Sequence, residues 1–246
     1  MSSPGDGPIS LVTGANKGIG FAIAKGLSQL GHTVLVGARD QTRGEAAAAD
    51  LRTHGGDARF LSIDLTNPST VTQAAAWIDQ HFGRLDGLVN NAAIKLEWHP
   101  SPPSTAPMEL VRQTFETNVF GTMTVIQAML PLLERSPSPR IVNMSSGLGS
   151  LALSTKEGSK YQQRPLLSYN VAKAAVNSLT VQFANELRAT PIKVNAADPG
   201  YTNTDMTLRT GTRNPEDGAV VAIRLATLPD DGPTGCFFDE RGPLPW

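Results

Sequence analysis

Ile9-Ser-Leu-Val-Thr13, running into Gly14-Ala-Asn-Lys-Gly-Ile-Gly20, is the stretch that decides the fold. A short β-forming run meets glycines spaced Gly-x-x-x-Gly-x-Gly, after which Phe21, Ile23, Ala24, Leu27 and Leu30 recur at helical intervals. That order reads as buried strand, tight turn and helix. Small residues at such a turn let the backbone approach a bound group closely. The helix amino terminus adds free N–H donors and positive potential, the combination that holds a pyrophosphate. Gly14, Asn16, Lys17, Gly18, Ile19 and Gly20 are therefore candidate contacts to a dinucleotide.

The unit repeats outward from there. Residues 33–38 read as a second buried strand and 42–54 as an alanine-rich helix. A third strand is expected over 59–63, and Asn67-Pro68 starts a helix to about residue 81 with a capping side chain and a proline at the first helical position. Residues 85–90 form a fourth strand, with Asn91-Ala-Ala93 at its carboxyl end, where doubly wound sheets bind ligands. Residues 108–133 read as two helices meeting near Thr117-Asn118. A fifth strand over 140–144 leads into Ser145-Ser146, 168–188 is a helix and 192–197 a sixth strand. Asn214-Pro215 caps a last helix to about residue 228, and 236–238 is an edge strand. The fold class expected is α/β: a single doubly wound Rossmann-type domain over 9–246, its mostly parallel seven-stranded sheet covered by helices on both faces. A flexible polar tail over 1–8 precedes it. Loops over 94–107, 147–165 and 201–213 share the carboxyl edge of the sheet and are the expected substrate enclosure, the first carrying four prolines and the second irregular. Trp98, His99, Tyr161, Met206 and Leu208 are among their candidate substrate contacts.

Composition removes several classes. A formal charge of -1 and a pI near 6.4 give no electrostatic footprint for nucleic acid or an anionic membrane, so neither partner is expected. The single cysteine, Cys236, can close no internal disulfide and belongs to no zinc-type cluster, so no metal is expected and a cytoplasmic, reducing location is. Residues 1–7 lack the apolar core of a signal peptide, and no run is long enough to span a bilayer.

Two further signals bear on chemistry. An acidic residue at the end of the second strand would hold a ribose 2′-hydroxyl, whereas a basic one accommodates a 2′-phosphate. That place reads Ala38-Arg39, with Lys17 as a second cation and Asp40 as the nearest acid, so NADP(H) is expected over NAD(H). Tyr169-Asn-Val-Ala-Lys173 lies in a predicted helix, where residues four apart share a face. An adjacent ammonium favours the phenolate and pulls a tyrosine down from its usual value near ~10, making Tyr169 a candidate general acid and base.

With these motifs in order, the chain resembles the short-chain dehydrogenase/reductase family, and within it the carbonyl reductase branch, from residue 11 onward. Thr13-Gly14 to Gly20, Asp64-Leu65, Asn90-Asn-Ala92, Asn118, Ser145-Ser146, Tyr169 to Lys173 and Pro199-Gly200 carry the likeness. The resemblance implies that Tyr169 protonates a carbonyl oxygen held by Ser146. It also implies that Lys173 binds the nicotinamide ribose and lowers the tyrosine pKa, while Asn118 anchors a water between lysine and solvent. Asp64 and Leu65 would flank the adenine, Asn91 and Ala92 its ribose, and Pro199, Gly200 and Thr202 the nicotinamide. Three features depart from the family pattern: Ala93 replaces a usual glycine, Asp198 a usual neutral residue, and the segment between Ser146 and Tyr169 is longer than in minimal family members yet shorter than the helical insert of animal carbonyl reductases. That insert covers the helix used for pairing in oligomeric members; the shorter segment leaves assembly open, with a monomer favoured over a homo-oligomer. The implied activity is NADPH-dependent reduction of a small-molecule ketone or aldehyde. An alcohol dehydrogenase running in the oxidative direction and a non-catalytic NADP(H)-sensing regulator are the alternatives, and the substrate is not specified by the shared catalytic set.

Overall fold

The computed structural model describes residues 7–98, 102–162, 164 and 166–246. Its strands are β1 (Ile9–Thr13), β2 (Thr33–Ala38), β3 (Asp57–Ser62), β4 (Gly87–Asn90), β5 (Arg140–Met144), β6 (Lys193–Ala197), β7 (Phe237–Phe238) and β8 (Pro243–Leu244). They form one sheet in the order β3-β2-β1-β4-β5-β6-β7-β8, parallel throughout except for β8, which runs antiparallel to β7. The helices are α1 (Gly18–Gln29), α2 (Gln41–Thr53), α3 (Pro68–Phe82), α4 (Met108–Phe115), α5 (Thr122–Leu133), α6 (Leu151–Thr155), α7 (Leu167–Glu186) and α8 (Pro215–Ala226).

Alternation along the strands builds the layers. Leu11, Leu35, Leu88, Ile141 and Val194 point to the face covered by α3, α5 and α7, while Val12, Val34, Val36, Val89 and Val142 point to the face covered by α1, α2 and α8. All of these side chains are fully buried or nearly so, each contributing roughly 1.5–3 kcal/mol to the fold. Local chemistry sets the boundaries of α3: Asn67 Oδ1 accepts the Ser69 N–H at 3.2 Å, Pro68 occupies the first turn, and Gly83 ends the helix at φ 70°.

The sheet has eight strands where seven were expected, because Pro243-Leu244 adds itself outside β7. A two-residue strand beginning with proline carries no alternating pattern, and proline is tolerated there only because the strand is an edge. Tertiary contacts hold this segment. The Trp246 ring stacks on Phe237 at 5.5 Å, its carbonyl accepts the Ala152 N–H at 3.0 Å, and the Pro245 carbonyl accepts the Ser150 hydroxyl at 2.7 Å.

Other boundaries shift for visible reasons. The two helices expected to meet near Thr117-Asn118 do so, through a π-helical turn, Glu116–Gly121, that joins α4 to α5 without leaving helical backbone. Such turns recur at functional sites. The segment after β5, expected to be irregular, begins with a 3-10 turn (Gly147–Gly149) and α6, because Ser146 accepts from the Leu148 N–H at 3.2 Å and Ser150 from the Leu153 N–H at 3.1 Å. Pro8, assigned to a flexible tail, accepts the Thr33 N–H at 2.9 Å and so continues the β1 pairing. Residues 1–6 of that tail, His99 with its two neighbours in the 94–107 loop, and residues 163 and 165 lie outside the described residues. Among the described residues no helix is long and apolar enough to cross a membrane, and no cluster of metal-ligating side chains occurs.

Candidate active site

The chain enters the sheet at β1, winds outward to β3, then returns to β4 on the other side of β1. That reversal opens a crevice at the carboxyl ends of β1 and β4, where open α/β sheets bind ligands. A cavity of about 770 Å³ occupies it. Every residue to which the sequence assigns nucleotide contact lines this cavity, from Gly14 to Gly20 through Arg39, Asp64, Leu65, Asn91, Ala92, Tyr169, Lys173, Pro199, Gly200 and Thr202. Residues from six separate stretches of the chain converge there because each follows the carboxyl end of a strand or lies on the helix packed behind it.

The glycine turn has the features a pyrophosphate needs. Gly14 and Gly18 have φ of 66° and 58°, and a Cβ on Gly14 would lie 3.0 Å from the Ala92 Cα. Among the described residues no side chain caps the first turn of α1, so its N–H groups remain available to an anion. Asn91 locks β4 to the turn: its N–H donates to the Thr13 hydroxyl at 3.0 Å and its Nδ2 to the Thr13 carbonyl at 2.9 Å. These residues fit a dinucleotide.

At the adenine end Arg39 is exposed, and among the described residues no carboxylate pairs with it. Lys17, read as its companion, is instead bound to Asp205 at 2.6 Å, an ion pair that spans the cleft from the glycine turn to the loop after β6. Asp205 also pairs with Arg209 at 2.7 Å, and both cations hold its carboxyl below the ordinary range. Arg43, four residues beyond Arg39, lines the same end of the cavity. Its spacing from Arg39 was the signal that could have revealed it.

The catalytic candidates divide into two groups. Tyr169 and Lys173 sit on the cavity wall, with the Lys173 Nζ 5.6 Å from the centre of the Tyr169 ring and donating to the Met144 carbonyl at 2.7 Å. Gly149 permits this packing, since a Cβ there would lie 2.6 Å from the Lys173 carbonyl carbon. Ser146 and Asn118 are absent from the lining. Ser146 turns its hydroxyl to the Leu148 N–H, while its neighbour Ser145 reaches the cavity yet donates to Asn177 Oδ1 at 2.5 Å. Asn118 is 1% exposed and grips the backbone of Ile94, accepting its N–H at 2.8 Å and donating to its carbonyl at 2.9 Å.

Electrostatics at the pair differ from the reading by spacing. Burial pushes the Tyr169 phenol above its usual value, and the Asp198 carboxylate acts in the same direction. Desolvation dominates at both groups: burial also pushes Lys173 down to about 8, against an upward pull from Asp198. Asp198 is buried, with its Oδ1 accepting the Gly200 N–H at 3.0 Å, and burial pushes its carboxyl up. The carboxylate that departs from the family pattern thus braces the Pro199-Gly200 turn. Ala93 lines the cavity wall beside Ala92. Of the apolar loop residues, Trp98 and Met206 reach the cavity, whereas Leu151 and Leu208 point to solvent at 68% and 62% exposure.

A doubly wound sheet with a glycine-turn cleft at its switch point defines the dinucleotide-binding class of α/β proteins. The chain belongs to the short chain dehydrogenase family, whose model matches residues 8–214. It is 35% identical to carbonyl reductase (NADPH) 1 of Rattus norvegicus over 285 aligned positions, covering 100% of both chains. Among solved structures it is similar to salutaridine reductase from Papaver somniferum, at 29% identity and a TM-score of 0.81 over 95% of this chain and 99% of that one. It is also similar to the NADPH-bound carbonyl reductase from chicken fatty liver, at 26% identity and a TM-score of 0.82 over 97% and 98% of the two chains. The protein is thus an oxidoreductase of the carbonyl reductase-like branch.

Proposed function

We propose that the protein reduces a ketone or aldehyde to an alcohol with NADPH, Tyr169 acting as the general acid. One observation carries this reading: Tyr169 and the buried Lys173, one helical turn apart on α7, share the wall of the cavity that the glycine turn opens. When bound, the nicotinamide supplies hydride to the carbonyl carbon. The Gly14–Gly20 turn and the first turn of α1 hold the pyrophosphate, and Arg39 with Arg43 faces the 2′-phosphate. Lys173 engages the nicotinamide ribose, and Pro199, Gly200 and Thr202 bound the nicotinamide. As negative charge grows on the substrate oxygen, the Tyr169 hydroxyl donates its proton there, so the phenol must begin protonated. Asn118 serves the site by fixing Ile94, and Ser146 reaches the substrate oxygen by rotating its hydroxyl away from Leu148. Loops over 94–107, 147–165 and 201–213 enclose the substrate, and the enzyme works in the cytoplasm as a monomer.

The relatives' names support the reductive direction, since those reported are reductases and two are named for NADPH. The same catalyst also serves alcohol oxidation. The test is NADPH consumption against a panel of ketones, aldehydes and quinones, with Tyr169→Phe alongside. The expected result is turnover by the wild type and a loss of about 10²–10⁴-fold in the variant, with nucleotide binding retained. An unchanged rate in Tyr169→Phe removes Tyr169 as the acid.

A further inference from the structure

A buried charge outside the cavity has no role in the mechanism so far. Glu97 is 4% exposed, yet among the described residues it pairs with no lysine or arginine and lines no part of the cavity. A carboxylate that far from water needs donors. It finds them 71 and 72 residues further along the chain: Oε1 accepts the Ser168 N–H at 3.0 Å and Oε2 the Tyr169 N–H at 3.1 Å.

Those two amides belong to the opening turn of α7, the helix that presents Tyr169 and Lys173. The N-cap of α7 is Leu166, whose side chain can accept nothing, so the helix has no local cap. Glu97 supplies a cap from another part of the fold, with a negative charge at the positive end of a 20-residue helix and both oxygens engaged. The segment that carries Glu97 is itself anchored three residues earlier, where Asn118 holds both backbone groups of Ile94. Lys95, Leu96 and Trp98, on either side of Glu97, line the cavity. One carboxylate therefore ties the substrate wall to the backbone of the acid.

We propose that Glu97 is a positioning residue. It fixes the height and rotation of the first turn of α7, and so the place of the Tyr169 hydroxyl relative to the substrate wall. It touches neither substrate nor nucleotide. The proposal rests on the reading of Tyr169 as the acid, and its test therefore includes a readout independent of turnover.

The experiment compares the wild type with Glu97→Gln and Glu97→Ala in three measurements: amide hydrogen exchange over residues 167–170, NADPH dissociation constant, and kcat and KM with the best substrate of the panel. Glutamine keeps the shape and one acceptor oxygen; alanine removes both. Exchange is expected to accelerate in the order wild type, Gln, Ala, and kcat to fall in the same order, by about 10- to 100-fold in Glu97→Ala, because displacement of the acid by about an ångström has that effect. The NADPH dissociation constant stays within about twofold, since the glycine turn and Arg39 lie outside α7, and Lys173 stands a full turn beyond these bonds and is held by its own bond to the Met144 carbonyl. Unchanged exchange overturns the proposal whatever the activity does. Faster exchange with unchanged kcat overturns it too, leaving Glu97 a structural cap only. NADPH affinity lost in step with kcat also overturns it, because the whole wall has then collapsed. If the alanine variant does not fold, the glutamine variant decides by the same criteria. A wild type that turns over no carbonyl defeats the functional reading, while the exchange measurement still decides whether Glu97 holds the helix.

Discussion

Replacing Asn118 by leucine, a larger side chain with the same branching and the same number of heavy atoms but no polar ones, severs both hydrogen bonds to Ile94, at 2.8 and 2.9 Å, without leaving room for water to take over. An orphaned donor or acceptor costs about 1–3 kcal/mol when fully desolvated. Ile94 is half-buried on the cavity wall, so the lower part of that range applies to each group, and the pair is expected to cost about 2–4 kcal/mol. For a chain of this size each kcal/mol moves the melting temperature by about 2–4 °C, giving a fall of about 4–16 °C. Asn118→Ala opens space for a bridging water and is expected to fall by less. Differential scanning calorimetry on the three proteins without nucleotide reads the effect directly. A leucine variant melting within about 2 °C of wild type would refute the clamp, since orphaning both groups cannot be that mild.

Two further outcomes follow from the charges in the cleft. Arg39→Asp is expected to weaken NADPH binding by about 10- to 100-fold and to raise the relative use of NADH, the loss of one charge-assisted contact to the 2′-phosphate. Nucleotide titrations check this, and unchanged NADPH affinity would leave Arg43 as the sole reader of the phosphate. Lys173, pushed down to about 8 by burial, is charged below that pH and neutral above it. kcat/KM for reduction, which reports the free enzyme, is expected to be level up to about pH 8 and to fall about tenfold per pH unit beyond it. A profile flat to pH 10 would exclude Lys173 as an essential cation with this pKa.

The electrostatic state of the tyrosine is where spacing and packing disagree most. Tyr169 and Lys173 were legible as neighbours because a helix repeats every 3.6 residues, and that periodicity is written in the sequence. How readily each gives up its proton was not. The answer depends on how much protein surrounds each group and on Asp198, supplied by a different strand, and desolvation by distant residues leaves no local pattern.

The same division runs through the rest of the molecule. The glycine turn, the strand–helix alternation, the switch-point asparagine and the basic end of β2 are local signals, set by backbone freedom, side-chain periodicity and single charges. The sequence alone therefore determined the fold class and the stretches that meet at the cleft. Only the tertiary structure decided that Lys17 is bound to Asp205, that Asn118 grips Ile94, that Glu97 caps α7, and that Pro243-Leu244 adds an eighth strand. Each of those contacts joins residues 24 to 188 positions apart, or a two-residue strand too short to alternate. Their energy comes from burial and pairing that exist only once the chain has closed on itself.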